Sequence, residues 1–221
     1  MSTPGIELTE RYTRAVDLAR VLHTETRKGT TIPYLAHLLS VSALVLEHGG
    51  SEDQAIAALL HDAAEDHGGH VVLERIRSEF GDAVASIVLA CSDSLTEDAT
   101  DKQPWWPRKV AYLEHVATEP LAALLVSAAD KVHNARSILA DYRSHGDELW
   151  SRFNKDAGRV GSLWYYTRLV EILEARLVDP PADELVAELR RTVNAICDHA
   201  SDLGHDVAAD VAEGRVRSNN G

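Results

Sequence analysis

One stretch constrains this chain more than any other: Ala57-Ala58-Leu59-Leu60-His61-Asp62-Ala63-Ala64-Glu65-Asp66. An apolar run leads straight into an imidazole and a carboxylate, and two more carboxylates follow. On a single α-helix, positions i, i+1, i+4 and i+5 cover one broad face, so all four polar side chains are predicted to face one cavity. Such groups beside a buried segment are costly unless something positive sits among them. A divalent metal ion is the simplest occupant, and the stretch is expected to be the centre of an active site.

The flanking sequence reads as helix. Apolar positions at helical spacing run through residues 8–28, with Gly29 as a C-cap and Pro33 opening a second helix that continues to Gly49-Gly50. Ser51 and Gln54 have the spacing of a capping box, which starts the helix carrying His61-Asp62, and Gly68-Gly69 stop it. Two short amphipathic helices are predicted over 70–80 and 82–91. Residues 92–107 are polar, with two prolines and Trp105-Trp106, and are expected to form a lid or pocket edge. A helix over 108–117 precedes the strongly apolar LAALLVSAADKVHNARSIL, which carries Asp130 and Asn134. Another helix runs to about Leu177, Pro180-Pro181 break the chain, and a last helix covers 183–203, with a tail expected to fray beyond Arg215. No alternating apolar/polar stretch with turn chemistry occurs. The expectation is an all-α bundle of about 8–11 helices, a main domain over 1–178 and a helical appendage over 179–221 packed on it.

Charge narrows the function. The net charge of −13 argues against nucleic acid or an acidic membrane as a partner held by electrostatics alone, though a small anion is allowed where positive charge is local. Cys91 and Cys197 lie in apolar helical patterns and read as core thiols, which fits a reducing cytoplasm. The N-terminus lacks the basic start and apolar core of a secretory signal. No apolar run reaches the ~18 residues that a membrane span needs.

His37, His61, Asp62 and Asp130 come from three predicted helices, and each interrupts an otherwise apolar face. Two imidazoles and two carboxylates suit Mn²⁺, Fe²⁺ or Zn²⁺ better than Ca²⁺. This order of ligands resembles the HD phosphohydrolases. ALLHDAAED is similar to the ALLHDxxED of RelA/SpoT-type alarmone hydrolase domains, and AADKVHNARSI to their ADRLHNMRTL. RKGTTIPYLAH is similar to their RKxGxPYxxH, with one extra residue in the loop. The matched motifs cover residues 27–138, and a chain of 221 residues has no room for synthetase and regulatory domains, so it looks like a small stand-alone alarmone hydrolase similar to the metazoan SpoT homologues.

The resemblance implies an HD-domain bundle and specific roles. His37, His61, Asp62 and Asp130 would hold the metal, Mn²⁺ in most relatives. Glu65 and Asp66 would position the attacking water and move protons. Arg27 and Lys28 would contact the base and phosphates, and Asn134 and Ser137 the ribose and nucleotide. Tyr165 or Tyr166 is expected to border the ribose. The implied reaction removes pyrophosphate from guanosine or adenosine 3′,5′-polyphosphates. The alternatives are an HD nucleotide phosphatase acting on another nucleotide such as NADPH, or a binding protein without turnover. A homodimer is compatible with the sequence. Where long relatives carry a VTKL-like segment this chain has Cys91-Ser92-Asp93-Ser94-Leu95, which leaves base identity open. His205-Asp206 repeats the dipeptide without a leading apolar run and reads as a decoy. His67, His70, His133, His145 and His199 are not expected to be ligands, though His133, beside Asn134, is placed to support one.

Overall fold

A computed structural model describes residues 5–92, 95 and 104–219. In chain order the helices are α1 (Glu10–Leu22), α2 (Tyr34–Glu47), α3 (Glu52–Leu60), α4 (Ala63–Asp66), α5 (Gly69–Phe80) and α6 (Asp82–Cys91). They continue with α7 (Trp105–Val116), α8 (Leu121–His145), α9 (Gly158–Arg176), α10 (Ala182–Asp202) and α11 (Val207–Asn219), with a 3₁₀ turn over Gly146–Arg152. The fold is all-α, as expected. Among the described residues the β pairing is confined to one isolated bridge, Thr26 with Pro33. The chain divides into two compact units, Met1–Lys102 with Pro120–Asp130, and Gln103–Glu119 with Lys131–Gly221.

In the first unit α3 is the central element. Ala55 through Leu60 are all fully buried, so this helix is apolar on every side, and it packs against α1, α2 and α6. Its start is fixed by the predicted capping box: Ser51 Oγ accepts from the Gln54 amide, and Gln54 Oε1 accepts from the Ser51 amide. Gly50 is required just before it, because a Cβ there would lie 2.4 Å from Val45 Cγ1. A polar thread crosses the core: Ser42 Oγ donates to the Ala55 carbonyl at 2.9 Å, and the Tyr12 hydroxyl lies 2.9 Å from Ser42 Oγ. These bonds fix the register of α1 and α2 on α3.

The second unit is organised around α9, which buries nine residues from Gly161 to Leu173, Trp164, Tyr165 and Tyr166 among them. Helix α7 starts at Trp105, not at 108. Trp105 and Trp106 are therefore helical. Trp105 packs edge-on with Trp164, Trp106 is tilted against it, and Trp106 Nε1 donates to the Asp156 carbonyl at 3.0 Å. The packing of two half-buried indoles on Trp164 draws the helix start into a stretch that reads as loop. Most of the expected lid, residues 93–94 and 96–103, lies outside the described residues.

The C-terminal tail is also ordered further than its composition suggests. Helix α11 runs to Asn219 and packs on α9. Arg159 holds Asp210 through two bonds of 2.8 and 3.2 Å, and Asp210 is buried. The second HD dipeptide has a structural role here. His205 Nε2 sits 2.8 Å from Asp147, and Asp206 Oδ1 caps α11 by accepting from the Ala209 amide. Gly214 lets the helix touch Trp164, where a Cβ would come within 2.3 Å of the Trp164 Cβ. Gly214→Ala is therefore expected to destabilise the second unit by about 1–3 kcal/mol, measured by thermal unfolding, with proteolysis of the α11 segment accelerated.

Candidate metal centre

His37 stands in the first turn of α2, His61 and Asp62 in the turn between α3 and α4, and Asp130 on α8. All four belong to the first unit. The sequence predicts one helix through His61-Asp62, but the structure breaks it: α3 ends at Leu60 and α4 begins at Ala63, with Asp62 at φ −91° and ψ −9°. The break has a local cause. His61 Nδ1 lies 2.8 Å from the Ala58 carbonyl, so the ring takes over an acceptor of the last helical turn. A new turn then starts on Asp62, whose carbonyl accepts from the Asp66 amide at 2.9 Å.

That bond also sets the tautomer of His61. A carbonyl can only accept, so Nδ1 carries the proton and Nε2 presents a lone pair. Nε2 points at carboxylates, 3.0 Å from Asp62 Oδ2 and 3.6 Å from Asp130 Oδ1. His37 Nε2 is 3.2 Å from Asp130 Oδ1 and 3.8 Å from Asp62 Oδ2. The donor atoms of His37, His61 and Asp62 lie within 4.8 Å of one another. His37, His61 and Asp130 are buried, and Asp62 is half-buried. Among the described residues, buried His61 Nε2 has no hydrogen-bond partner. A lone pair facing carboxylate oxygens away from water repels them unless a proton or a cation lies between. The donor set therefore fits a divalent metal, and the protein's own residues leave a place for its charge.

The electrostatics point the same way. Burial alone would lower the His61 pKa, but the Asp62 and Asp130 carboxylates reverse that and hold it well above the usual histidine value. Burial would raise the Asp62 pKa, and His61 outweighs it, holding the carboxyl below its usual range. His37 is lowered by burial, against the pull of Asp130.

Tyr34 lies inside the RKGTTIPYLAH segment, but the sequence reading gives it no role at the site. Its hydroxyl donates to Asp62 Oδ2 at 2.5 Å. Burial, reinforced by the Asp62 charge, drives its pKa far up, so the phenol stays a donor. Its place three residues before His37 on one helix face is the signal that could have revealed it.

Arg27 also belongs to this neighbourhood, with its guanidinium 5.9 Å from the centre of the Tyr34 ring. The loop that carries it is pinned by three backbone bonds: Arg27 amide to Ile32 carbonyl, Thr30 amide to Arg27 carbonyl, and Tyr34 amide to Glu25 carbonyl. Lys28 is exposed on the same turn. Glu65 is half-buried and Asp66 exposed on α4. Asn134, Ser137 and Tyr165 fall in the second unit. Asn134 is half-buried one turn beyond Asp130 on α8. Ser137 Oγ donates back to the His133 carbonyl at 3.0 Å. Tyr165 is only 6% exposed and packs among Trp105, Tyr112 and Tyr166. The structure thus gathers the expected metal ligands in one pocket, while the expected substrate contacts are distributed over both units.

The HD domain family matches residues 15–162 of the chain. A probable guanosine-3′,5′-bis(diphosphate) 3′-pyrophosphohydrolase of Synechocystis is 26% identical over 80% of this chain and 23% of that protein. MESH1 of Xenopus tropicalis, named as the same activity, is 37% identical over 48% of this chain and 56% of that protein. The chain thus spans about half or less of the length of these curated relatives. A solved metazoan ortholog of SpoT, described as hydrolysing ppGpp, shares the fold, with a TM-score of 0.65 at 21% identity over 86% of this chain and 97% of that one.

Tyr34→Phe removes the donor on Asp62 and leaves the ring. Partners that orient metal ligands typically contribute about 10–100-fold in affinity. A loss of about that size is expected in a Mn²⁺ titration of the metal-free protein, with the fold unchanged by circular dichroism.

Proposed function

The chain belongs to the HD domain family, and on that premise we propose that it is a metal-dependent pyrophosphohydrolase acting on guanosine or adenosine 3′,5′-polyphosphates. The observation that carries the reading is the buried His61 Nε2 lone pair facing Asp62 and Asp130, with His37 beside them and Glu65 and Asp66 on the next turn. The names of the Synechocystis and Xenopus relatives support the substrate class. No helix among the described residues is long and apolar enough to cross a membrane.

His37, His61, Asp62 and Asp130 would hold the metal, with Mn²⁺ as the proposed ion and Zn²⁺ or Fe²⁺ as alternatives that fit the same donors. When bound, it supplies Lewis acidity toward a phosphoryl oxygen and lowers the pKa of a water molecule. The protein's residues supply the rest. Glu65 and Asp66 orient that water and take its proton. The water oxygen adds to the phosphorus bonded to the nucleoside 3′-oxygen, and the bond between that phosphorus and the 3′-oxygen breaks. Pyrophosphate leaves with the new oxygen, and the 3′-oxygen takes up a proton. Arg27 and Lys28 offset the phosphate charge in an otherwise acidic chain. Tyr34 keeps Asp62 in place. Arg27 and Lys28 are also the proposed contacts to the base, and Asn134, Ser137 and Tyr165 the proposed contacts to the ribose and nucleotide.

Two classes of variant separate the roles. Asp62→Ala and His61→Ala are expected to lose bound metal and hydrolysis together, read by elemental analysis and pyrophosphate release. Glu65→Ala is expected to keep its metal and lose turnover by about 10²–10⁴-fold, the usual contribution of a positioned acid or base. Full activity of Asp62→Ala, or of wild-type protein after exhaustive chelation, contradicts the mechanism.

A further inference from the structure

A second group of ligating side chains lies in the first unit, apart from the four residues described above. His23 caps the end of α1, Glu25 lies in the loop that leads to α2, and His67 caps the end of α4. Their donor atoms converge. His23 Nδ1 is 2.8 Å from Glu25 Oε1 and 3.1 Å from His67 Nε2, and His67 Nε2 is 3.7 Å from Glu25 Oε1. Ligand atoms at about 2.0–2.1 Å from one tetrahedral zinc ion stand roughly 3.3–3.4 Å apart. The observed triangle brackets that spacing.

Hydrogen bonding serves this triangle poorly. If His23 Nδ1 donates its proton to Glu25, the same atom has only a bent share to offer the His67 lone pair. If it accepts from His67 instead, its own lone pair faces the Glu25 carboxylate. A cation can accept all three lone pairs at once. The His23 side chain is fully buried, stacked on Tyr34 at 5.0 Å and edge-on to His67 at 4.4 Å. Burial holds its pKa below the usual histidine value against the pull of Glu25, so the ring is neutral, the form that binds metal.

Tyr34 separates this cluster from the first one. One face of its ring covers His23 while its hydroxyl is engaged with Asp62. The two groups share a wall, not an ion.

We propose that His23, Glu25 and His67 form a second divalent-metal site, a two-nitrogen, one-oxygen set of the kind that binds zinc with its fourth position open. The ion would join the end of α1, the end of α4 and the loop that carries Arg27 and Lys28, and so act as a staple on that loop. This site does not depend on the reaction proposed above.

The test is a metal count on the full chain. Chelator-stripped protein is equilibrated with Zn²⁺, desalted and analysed for zinc. The expected count is two per chain, falling to one in Glu25→Ala and in His67→Ala. Both side chains are partly exposed, at 42% and 26%, so neither change opens the core, and circular dichroism checks the fold. His61→Ala should also hold one ion, and a double variant with Glu25→Ala none, so failure of the first site and failure of this one read differently. A second readout is trypsin cleavage after Arg27 and Lys28, expected to slow several-fold on adding Zn²⁺ to wild type but not to Glu25→Ala. Zinc counts in Glu25→Ala and His67→Ala equal to wild type overturn the proposal and leave a hydrogen-bonded cluster.

Discussion

The His61 side chain faces two ways, and the first unit is arranged around that. Nδ1 is committed to the Ala58 carbonyl, and Nε2 is turned into a pocket with two carboxylates. The first bond interrupts the helix at the point where Asp62 must swing inward. The second contact creates a demand for positive charge between the imidazole and the two carboxylates. Helix α3 makes the arrangement possible. It is buried on every side, so its C-terminal end is held rigidly against α1, α2 and α6. A ligand set placed at the end of such an element keeps its geometry without needing loops to supply it.

Much of this was legible in the sequence because each ligand violates a pattern. His37, His61 and Asp130 sit where an apolar helix face would otherwise continue, and a buried polar group without a partner is costly enough to be noticed. Tyr34 violates nothing. A tyrosine on an apolar face satisfies the periodicity, and its hydroxyl shows a role only once Asp62 is found 2.5 Å away. The break at His61-Asp62 was equally hidden, because both residues are compatible with a continuous helix and only the local bond of the His61 ring to the Ala58 carbonyl decides otherwise. His23 and His67 are 44 residues apart, and nothing in the local pattern joins them.

The second unit shows the opposite kind of surprise. Trp105-Trp106 and the polar C-terminal segment look like loop and fraying tail by composition. Packing against Trp164 makes the first helical, and the Arg159–Asp210 pair together with Gly214 orders the second. Local propensity lost to packing in both places. Tyr165, by contrast, is taken up by the aromatic core of that unit.

The central claim is that this pocket hydrolyses a 3′-pyrophosphate. Incubating the purified chain with Mn²⁺ and a panel of guanosine and adenosine 3′-pyrophosphates and NADPH, with products resolved by chromatography, tests it most directly. The account predicts release of pyrophosphate and the matching nucleoside 5′-phosphate species, abolished by chelation. Orthophosphate as the sole product, or no turnover with any metal despite nucleotide binding, would contradict it.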